Sequence, residues 1–240
     1  MTSRRYDLVL LDALGTILDL EPPGPHLAAA LERRGARVTP DDAHAAMVTE
    51  MTYYRANCDT AGSLEALAGL RERCARIVAD ELGAPVAGLG LDEIGAAMLE
   101  ALRFPPFPEV EPVLRELGSA GVRLIVVSNW DISLHEVLRR TGLEELIDAA
   151  LTSAESGASK PDPLMLHRAM AMAGDVDPQR TLMVGDTPPD ALAAAAAGID
   201  GVLVDRYGVV GSHPTARVVP DLGALTGLVL GGPGYSSQDA

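Results

Sequence analysis

The 240-residue chain contains a single lysine, Lys160, among 19 basic residues, only two cysteines, and aromatic residues at 3%. Each scarcity excludes something. Cys58 and Cys74 are too few for a disulfide framework, and their separation fits no zinc or redox spacing. They are expected to be reduced and packed on helices. With so few rings, Ala, Leu and Val must fill the core. Positive charge is also short, since 34 acidic residues leave a net charge of −15. Such a surface repels polyphosphate and anionic lipid, which argues against nucleic acid or a membrane as partner. A small anionic substrate would need a locally positive site. No apolar run approaches the roughly 20 residues of a membrane span. The opening MTSRRYDLVLLD has four consecutive apolar residues, Leu8 to Leu11, too short for a signal-peptide core. The expected location is cytoplasmic. His26, His44, His135, His167 and His213 share no metal-ligand spacing, and there is no internal repeat.

What is present describes an ordinary globular protein, 48% hydrophobic and 22% charged. The run LVLL before Asp12 reads as a fully buried parallel strand bounded by a Gly-containing turn. EPPGPH (21–26) is a Pro/Gly-rich break of the kind that makes a hinge. The pattern is helical from there to about residue 102, with Thr39 as N-cap, Pro40 at the first helical position and two acids following. Further helical stretches cover 63–82 and 91–102. A second proline-rich joint, FPPFPEVEP (104–112), closes this block. Beyond it, helices near 109–119, 132–141, from Pro163 and from Pro188 alternate with strands VRLIVVS, IDAALTS, RTLMVGD and GVLVDR. Ser133 and Glu136 have capping-box spacing, and Gly198 stops the helix after Pro188. A short strand and a last helix follow in VVPDLGALTGLVL. Strands alternating with helices predict an α/β fold, a Rossmann-like parallel sheet with helices on both faces. The domain expectation is a core of 1–20 and 105–230, an inserted all-helical domain of 21–104, and a disordered tail of 231–240.

Open parallel sheets bind ligands outside the carboxyl ends of their strands. Those ends carry Asp12, then Ser128 with Asn129, then Asp186, with Lys160 in a nearby loop. Each has a plain structural reading. Asp12 can cap its turn, and Ser128 and Asn129 can cap a helix. Lys160 can be a solvated loop residue, and Asp186 and Asp190 suit a helix start. The lone lysine nevertheless stands out, because Arg serves wherever either cation would do.

Taken together, Asp12 with Gly15 and Thr16, Ser128-Asn129, Lys160-Pro161 and Gly185-Asp186 followed by Asp190 form four motifs in register. This series resembles the haloacid dehalogenase-like hydrolase superfamily over roughly 5–20 and 105–207. The resemblance implies that Asp12 is a nucleophile and that Mg²⁺ is held by Asp12, the backbone carbonyl of Leu14 and Asp186, with Asp190 as a further or outer ligand. It implies that Ser128 and Lys160 are catalytic and contact substrate, together with Thr16 and Asn129. It also implies that the helical insert is a mobile cap closing over the site. A carboxylate nucleophile splits phosphate hydrolysis into two displacements through an aspartyl-phosphate, with Mg²⁺ screening the two anions.

Leu14 departs from that pattern. Phosphatases of this superfamily carry a second Asp there, which protonates the leaving oxygen and later activates water. A positioned general acid is typically worth about 10²–10⁴ in rate. Asp19, Glu21 and His26, near the hinge, are the candidate substitutes. The leading expectation is a Mg²⁺-dependent phosphatase of a small phosphorylated metabolite. A 2-haloacid dehalogenase-like enzyme would explain Leu14 but would not need Asp186 and Asp190. A phosphonate-cleaving enzyme would need a lysine in the cap, which has none. A non-catalytic binding protein on the same fold stays open.

Overall fold

The computed structural model describes residues 4–174 and 176–231. Apart from Gly231, the tail expected to be disordered lies outside them. The chain divides into two compact units. One comprises Met1–Asp19, Pro106–Asn129 and Leu134–Ala240, and the other Leu20–Pro105 and Trp130–Ser133. In chain order the elements are β1 (Leu8–Leu11), α1 (Pro23–Glu32), α2 (Pro40–Asn57), α3 (Leu64–Leu82), α4 (Leu91–Ala101), α5 (Val110–Ser119), β2 (Arg123–Ser128) and α6 (Leu134–Arg140). Then come β3 (Ala149–Thr152), α7 (Ser153–Ser156), α8 (Leu164–Met172), β4 (Thr181–Gly185), α9 (Pro188–Ala197), β5 (Asp200–Val204), β6 (Arg217–Val219) and α10 (Ala224–Leu230).

The first unit is built on a sheet in the order β3-β2-β1-β4-β5-β6, and every pairing is parallel. This is the α/β architecture that the alternating pattern predicts. β1 and β4 are buried along their whole length, as continuous apolar runs must be when both faces of a sheet are covered. Leu8, Leu10, Ile125, Val127 and Met183 pack against Met165, Leu166 and Ala169 of α8 and Ala193 and Ala194 of α9. Side chains alternate along a strand, so Val9, Leu11, Leu124 and Val126 face the other way. They are equally buried, on the side where α5 meets β2 and α10.

The second unit is all-helical, and its four helices α1 to α4 share a core that includes Leu27, Leu31, Met47, Leu70, Val78 and Met98. Thr39 caps α2 as expected, accepting from the Asp42 amide at 3.1 Å. Ser63 caps α3 in the same way. Trp130–Ser133 joins this unit: the Trp130 and Phe104 rings meet edge-on at 5.0 Å, and Tyr54 Oη donates to Asp131 Oδ2 at 2.9 Å. Cys74 lies on α3 as expected, whereas Cys58 lies in a 3₁₀ turn; both are free and buried. One local expectation is corrected. Most of EPPGPH is not a break, because Pro23 to His26 form the first turn of α1. The opening amides of a helix have no intrahelical acceptor, so proline costs little there. Among the described residues no helix is long and apolar enough to cross a membrane.

Candidate active site

Parallel register decides which residues meet. Leu11 pairs with both Val126 of β2 and Val184 of β4, so the carboxyl ends of three adjacent strands coincide. The polar residues at or just past those ends, Asp12, Ser128 and Asp186, therefore stand on one rim. Lys160 arrives from the loop between α7 and α8, and its side chain is 2% exposed. Its Nζ donates to Asp12 Oδ1 at 2.5 Å and to the Val127 carbonyl at 2.8 Å, and lies 2.6 Å from Asp190 Oδ1. The solvated-loop reading of Lys160 is therefore excluded.

Ser128 Oγ also donates to Asp12 Oδ1, at 3.0 Å. Two donors thus hold one oxygen of Asp12, while Oδ2 receives no hydrogen bond from the described residues. Asn129 is exposed, but its amide is spent on the lysine's backbone. Its Oδ1 accepts from the Lys160 amide at 2.8 Å and its Nδ2 donates to the Lys160 carbonyl at 2.9 Å. Asn129 is the clamp that delivers the lysine. Thr16 is fully buried, and its hydroxyl has no hydrogen-bond partner among the described residues.

Asp190 divides its two oxygens between two partners. Its Oδ2 accepts from the Thr187 amide at 3.0 Å and the Thr187 hydroxyl at 2.7 Å, capping α9, which begins with Pro188 and Pro189. Its Oδ1 faces Lys160. Two glycines allow this crowding. A Cβ on Gly15, which sits at φ +84°, would fall 2.0 Å from Asp186 Oδ2, and one on Gly185 would fall 2.2 Å from Asp190 Cγ.

The charges are concentrated and dry. Burial works against the ammonium of Lys160, yet Asp12 and Asp190 raise its pKa on balance. Burial first, then Asp190, pushes the Asp12 carboxyl up, against the opposing pull of Lys160 and Ser128. Burial, then Asp12 and Asp190, raises Asp186 to about 7. Asp12, Asp186 and Asp190 each offer an oxygen within 4.8 Å of the others. Three carboxylates around one ammonium leave two negative charges uncompensated when all are ionised. Asp186 Oδ1 is also buried with no hydrogen-bond partner among the described residues. An orphaned carboxylate oxygen in an all-oxygen, doubly negative cluster fits a hard divalent cation.

In the turn after Asp12 nearly every carbonyl is engaged. The Ala13 carbonyl accepts from the amides of Thr16, Ile17 and Leu18, the Leu18 carbonyl from Gly15, and the Ile17 carbonyl from Phe107. The Gly15 and Thr16 carbonyls accept from Arg206. None of the described residues donates to the Leu14 carbonyl, the remaining acceptor of the turn. Sequence reasoning missed Arg206 and the Val127 carbonyl. The only signal for Arg206 was its place two residues beyond the end of β5, and a backbone carbonyl leaves no trace in residue types.

Comparison with known proteins gives the family. The model of the haloacid dehalogenase-like hydrolase family matches residues 6–198. The chain is 38% identical over 166 residues to a phosphoserine phosphatase of Thermus thermophilus, covering 66% of this chain and 64% of that protein. It is 32% identical over 148 residues to haloacetate dehalogenase H-2 of a Moraxella species, covering 59% and 65%. The chain thus spans somewhat less than two thirds of each of these two curated relatives. Among solved structures, L-2-haloacid dehalogenase from Xanthobacter autotrophicus with chloropropionic acid covalently bound has the same fold, with a TM-score of 0.65 at 21% identity, covering 94% of this chain and 99% of that one. The chain belongs to the haloacid dehalogenase-like hydrolases.

Proposed function

We propose that the protein is a Mg²⁺-dependent phosphatase of small phosphorylated metabolites, acting through an aspartyl-phosphate on Asp12. One observation carries this reading: three carboxylates lie within 4.8 Å of one another, around a single buried lysine. Halide displacement needs no such cluster, whereas a phosphate dianion approaching Asp12 needs cationic charge beside it. Asp12, Asp186 and the Leu14 carbonyl would hold the metal, with Asp190 as a further or outer ligand. When bound, Mg²⁺ supplies positive charge against both the carboxylates and the substrate phosphate.

The residues then divide the work. Lys160 and Ser128 fix Asp12 through Oδ1, which leaves Oδ2 to attack phosphorus. The bond from phosphorus to the ester oxygen breaks, and that oxygen leaves with the electron pair. Water then attacks the phosphorus, the bond to Asp12 breaks, and the carboxylate is restored. Once substrate is bound, the single Ser128 hydroxyl proton turns from Asp12 to a phosphoryl oxygen, and Lys160, still on Asp12, opposes the charge that develops there. Asn129 holds the Lys160 backbone, and Thr16 is part of the turn. Residues 21–104 are the cap, on which substrate identity depends.

Leu14 favours a second reading, a 2-haloacid dehalogenase, because halide leaves without a proton. A panel of phosphorylated metabolites and short 2-haloacids, with and without Mg²⁺, separates the two. Turnover of a phosphate that stops in chelator, together with a hydroxylamine-labile adduct absent from Asp12→Asn, is the expected result. Haloacid turnover that survives excess chelator would replace the phosphatase reading. Stoichiometric binding with no turnover of either class would leave a binding protein.

A further inference from the structure

We infer that Arg206 is a positioning residue for the turn that follows Asp12, and that it acts by engaging the neighbouring carbonyls so that the Leu14 carbonyl keeps its place at the site. Arg206 follows β5, and β4 lies between β5 and β1 in the sheet. From there its side chain, 11% exposed, reaches the turn at the end of β1. Nη2 donates to the Thr16 carbonyl at 2.8 Å and Nε to the Gly15 carbonyl at 3.3 Å. Nη1 pairs with Glu109 Oε1 at 2.5 Å. The guanidinium also lies over the Phe107 ring, with Cζ 3.6 Å from its centroid.

Each contact uses a property specific to Arg. The planar fork presents donors in fixed directions, stacks on a ring and stays charged. A lysine ammonium could serve one carbonyl but could not span all four partners. Glu109 and Phe107 anchor the guanidinium from one side, so the two carbonyls meet a donor whose place is set in advance. Ala13, Gly15, Thr16, Ile17 and Leu18 all have their carbonyls engaged in this turn. Outer partners of this kind set the orientation of inner ligands, and their loss typically costs 10–100-fold in metal affinity or activity.

The inference rests on the reading of Leu14 as a metal-holding carbonyl, so the test needs one readout that does not depend on metal. Arg206→Gln, Arg206→Lys and the surface control Arg115→Gln are compared by amide hydrogen exchange without metal, by Mg²⁺ calorimetry, and by kcat and KM on the best phosphate substrate. In Arg206→Gln, exchange should rise at residues 12–18 while β2 and β4 keep wild-type protection. Mg²⁺ affinity should weaken about 10–100-fold, with kcat lowered and KM little changed. Arg206→Lys should fall between, and Arg115→Gln should match wild type. A merely structural role would raise exchange throughout the sheet and leave the Mg²⁺ affinity of the folded protein unchanged, which overturns the inference. Wild-type exchange at 12–18 in Arg206→Gln overturns it as well. Should Arg206→Gln fail to fold, Arg206→Lys decides by the same readouts. If wild-type protein binds no Mg²⁺, the metal reading fails, and the exchange at 12–18 alone judges Arg206.

Discussion

At Asp12, two donors and one free oxygen separate fixing from reacting. Ser128 and Lys160 meet Oδ1, and the unengaged Oδ2 is the atom with a lone pair to offer. Two positions on, Leu14 has a side chain that brings no acid to a leaving oxygen. The consequence is a dependence on leaving group. Nitrophenolate or an acyl-phosphate carboxylate departs readily without a proton, whereas the alkoxide of a sugar or alkyl phosphate does not. Wild-type rates should therefore fall steeply as the leaving-group pKa rises, in a series of aryl, acyl and alkyl phosphates. Leu14→Asp should flatten that slope and speed alkyl esters by up to about 10² if the new carboxyl is well placed. Equal wild-type rates on aryl and alkyl phosphates would show that another group supplies the proton, and Asp19, Glu21 and His26 would be mutated next.

The strands and turns supply the precision that these side chains lack by themselves. Alignment of β1, β2 and β4 brings three polar strand ends together, and the tight turn at Gly15 brings the backbone against Asp186. Gly15→Ala tests that turn. Its φ of +84° disfavours any side chain, and the added Cβ would fall 2.0 Å from Asp186 Oδ2. The strained backbone should cost about 1–3 kcal/mol in a urea titration, and displacement of Asp186 should abolish Mg²⁺ binding by calorimetry. A variant as stable as wild type with intact Mg²⁺ binding would mean that the turn rearranges freely. Helix α9 works in the same way, since its cap holds one oxygen of Asp190 and leaves the other for Lys160.

Over the whole molecule, a metal held by the uncompensated charge of the proposed site would couple binding to stability. A ligand that binds only the folded state adds about 2.7 kcal/mol at 100 times its dissociation constant. Mg²⁺ should therefore raise the melting temperature with a concentration dependence that Asp186→Ala removes. An unchanged wild-type melting temperature across a wide Mg²⁺ range would count against the metal reading. A second linkage belongs to the helical unit. Burial raises the pKa of Glu50 above its usual 4.5, against the hydrogen bond from Cys74. A carboxyl raised on folding supports the folded state below its unfolded pKa and loses that support as pH rises through the higher folded value. Glu50→Gln should match wild type near pH 4.5 and become the more stable protein by about pH 8, as urea midpoints would show. A stability difference that stays constant with pH would mean that Glu50 ionises freely in the folded protein.

Much of this was legible in the residues themselves. Strand and helix periodicity located every element of the sheet to within a few residues, because apolar runs and caps are local signals. The order of Asp12, Ser128, Lys160, Asp186 and Asp190 pointed to one rim and one family, because strand ends of a parallel sheet share a rim. The helical start at Pro23 was misread, since proline marks a break or a first turn and local composition does not say which. Only the tertiary structure could show that Asn129 holds the Lys160 backbone, that Asp190 divides its oxygens between a cap and a lysine, and that Arg206 reaches the turn after Asp12. Those facts depend on distances between residues separated by 31, 30 and 190 positions in the chain. Sequence pattern carries local propensity and order along the chain, whereas the direction of a hydrogen bond is set only when the sheet brings distant segments into register.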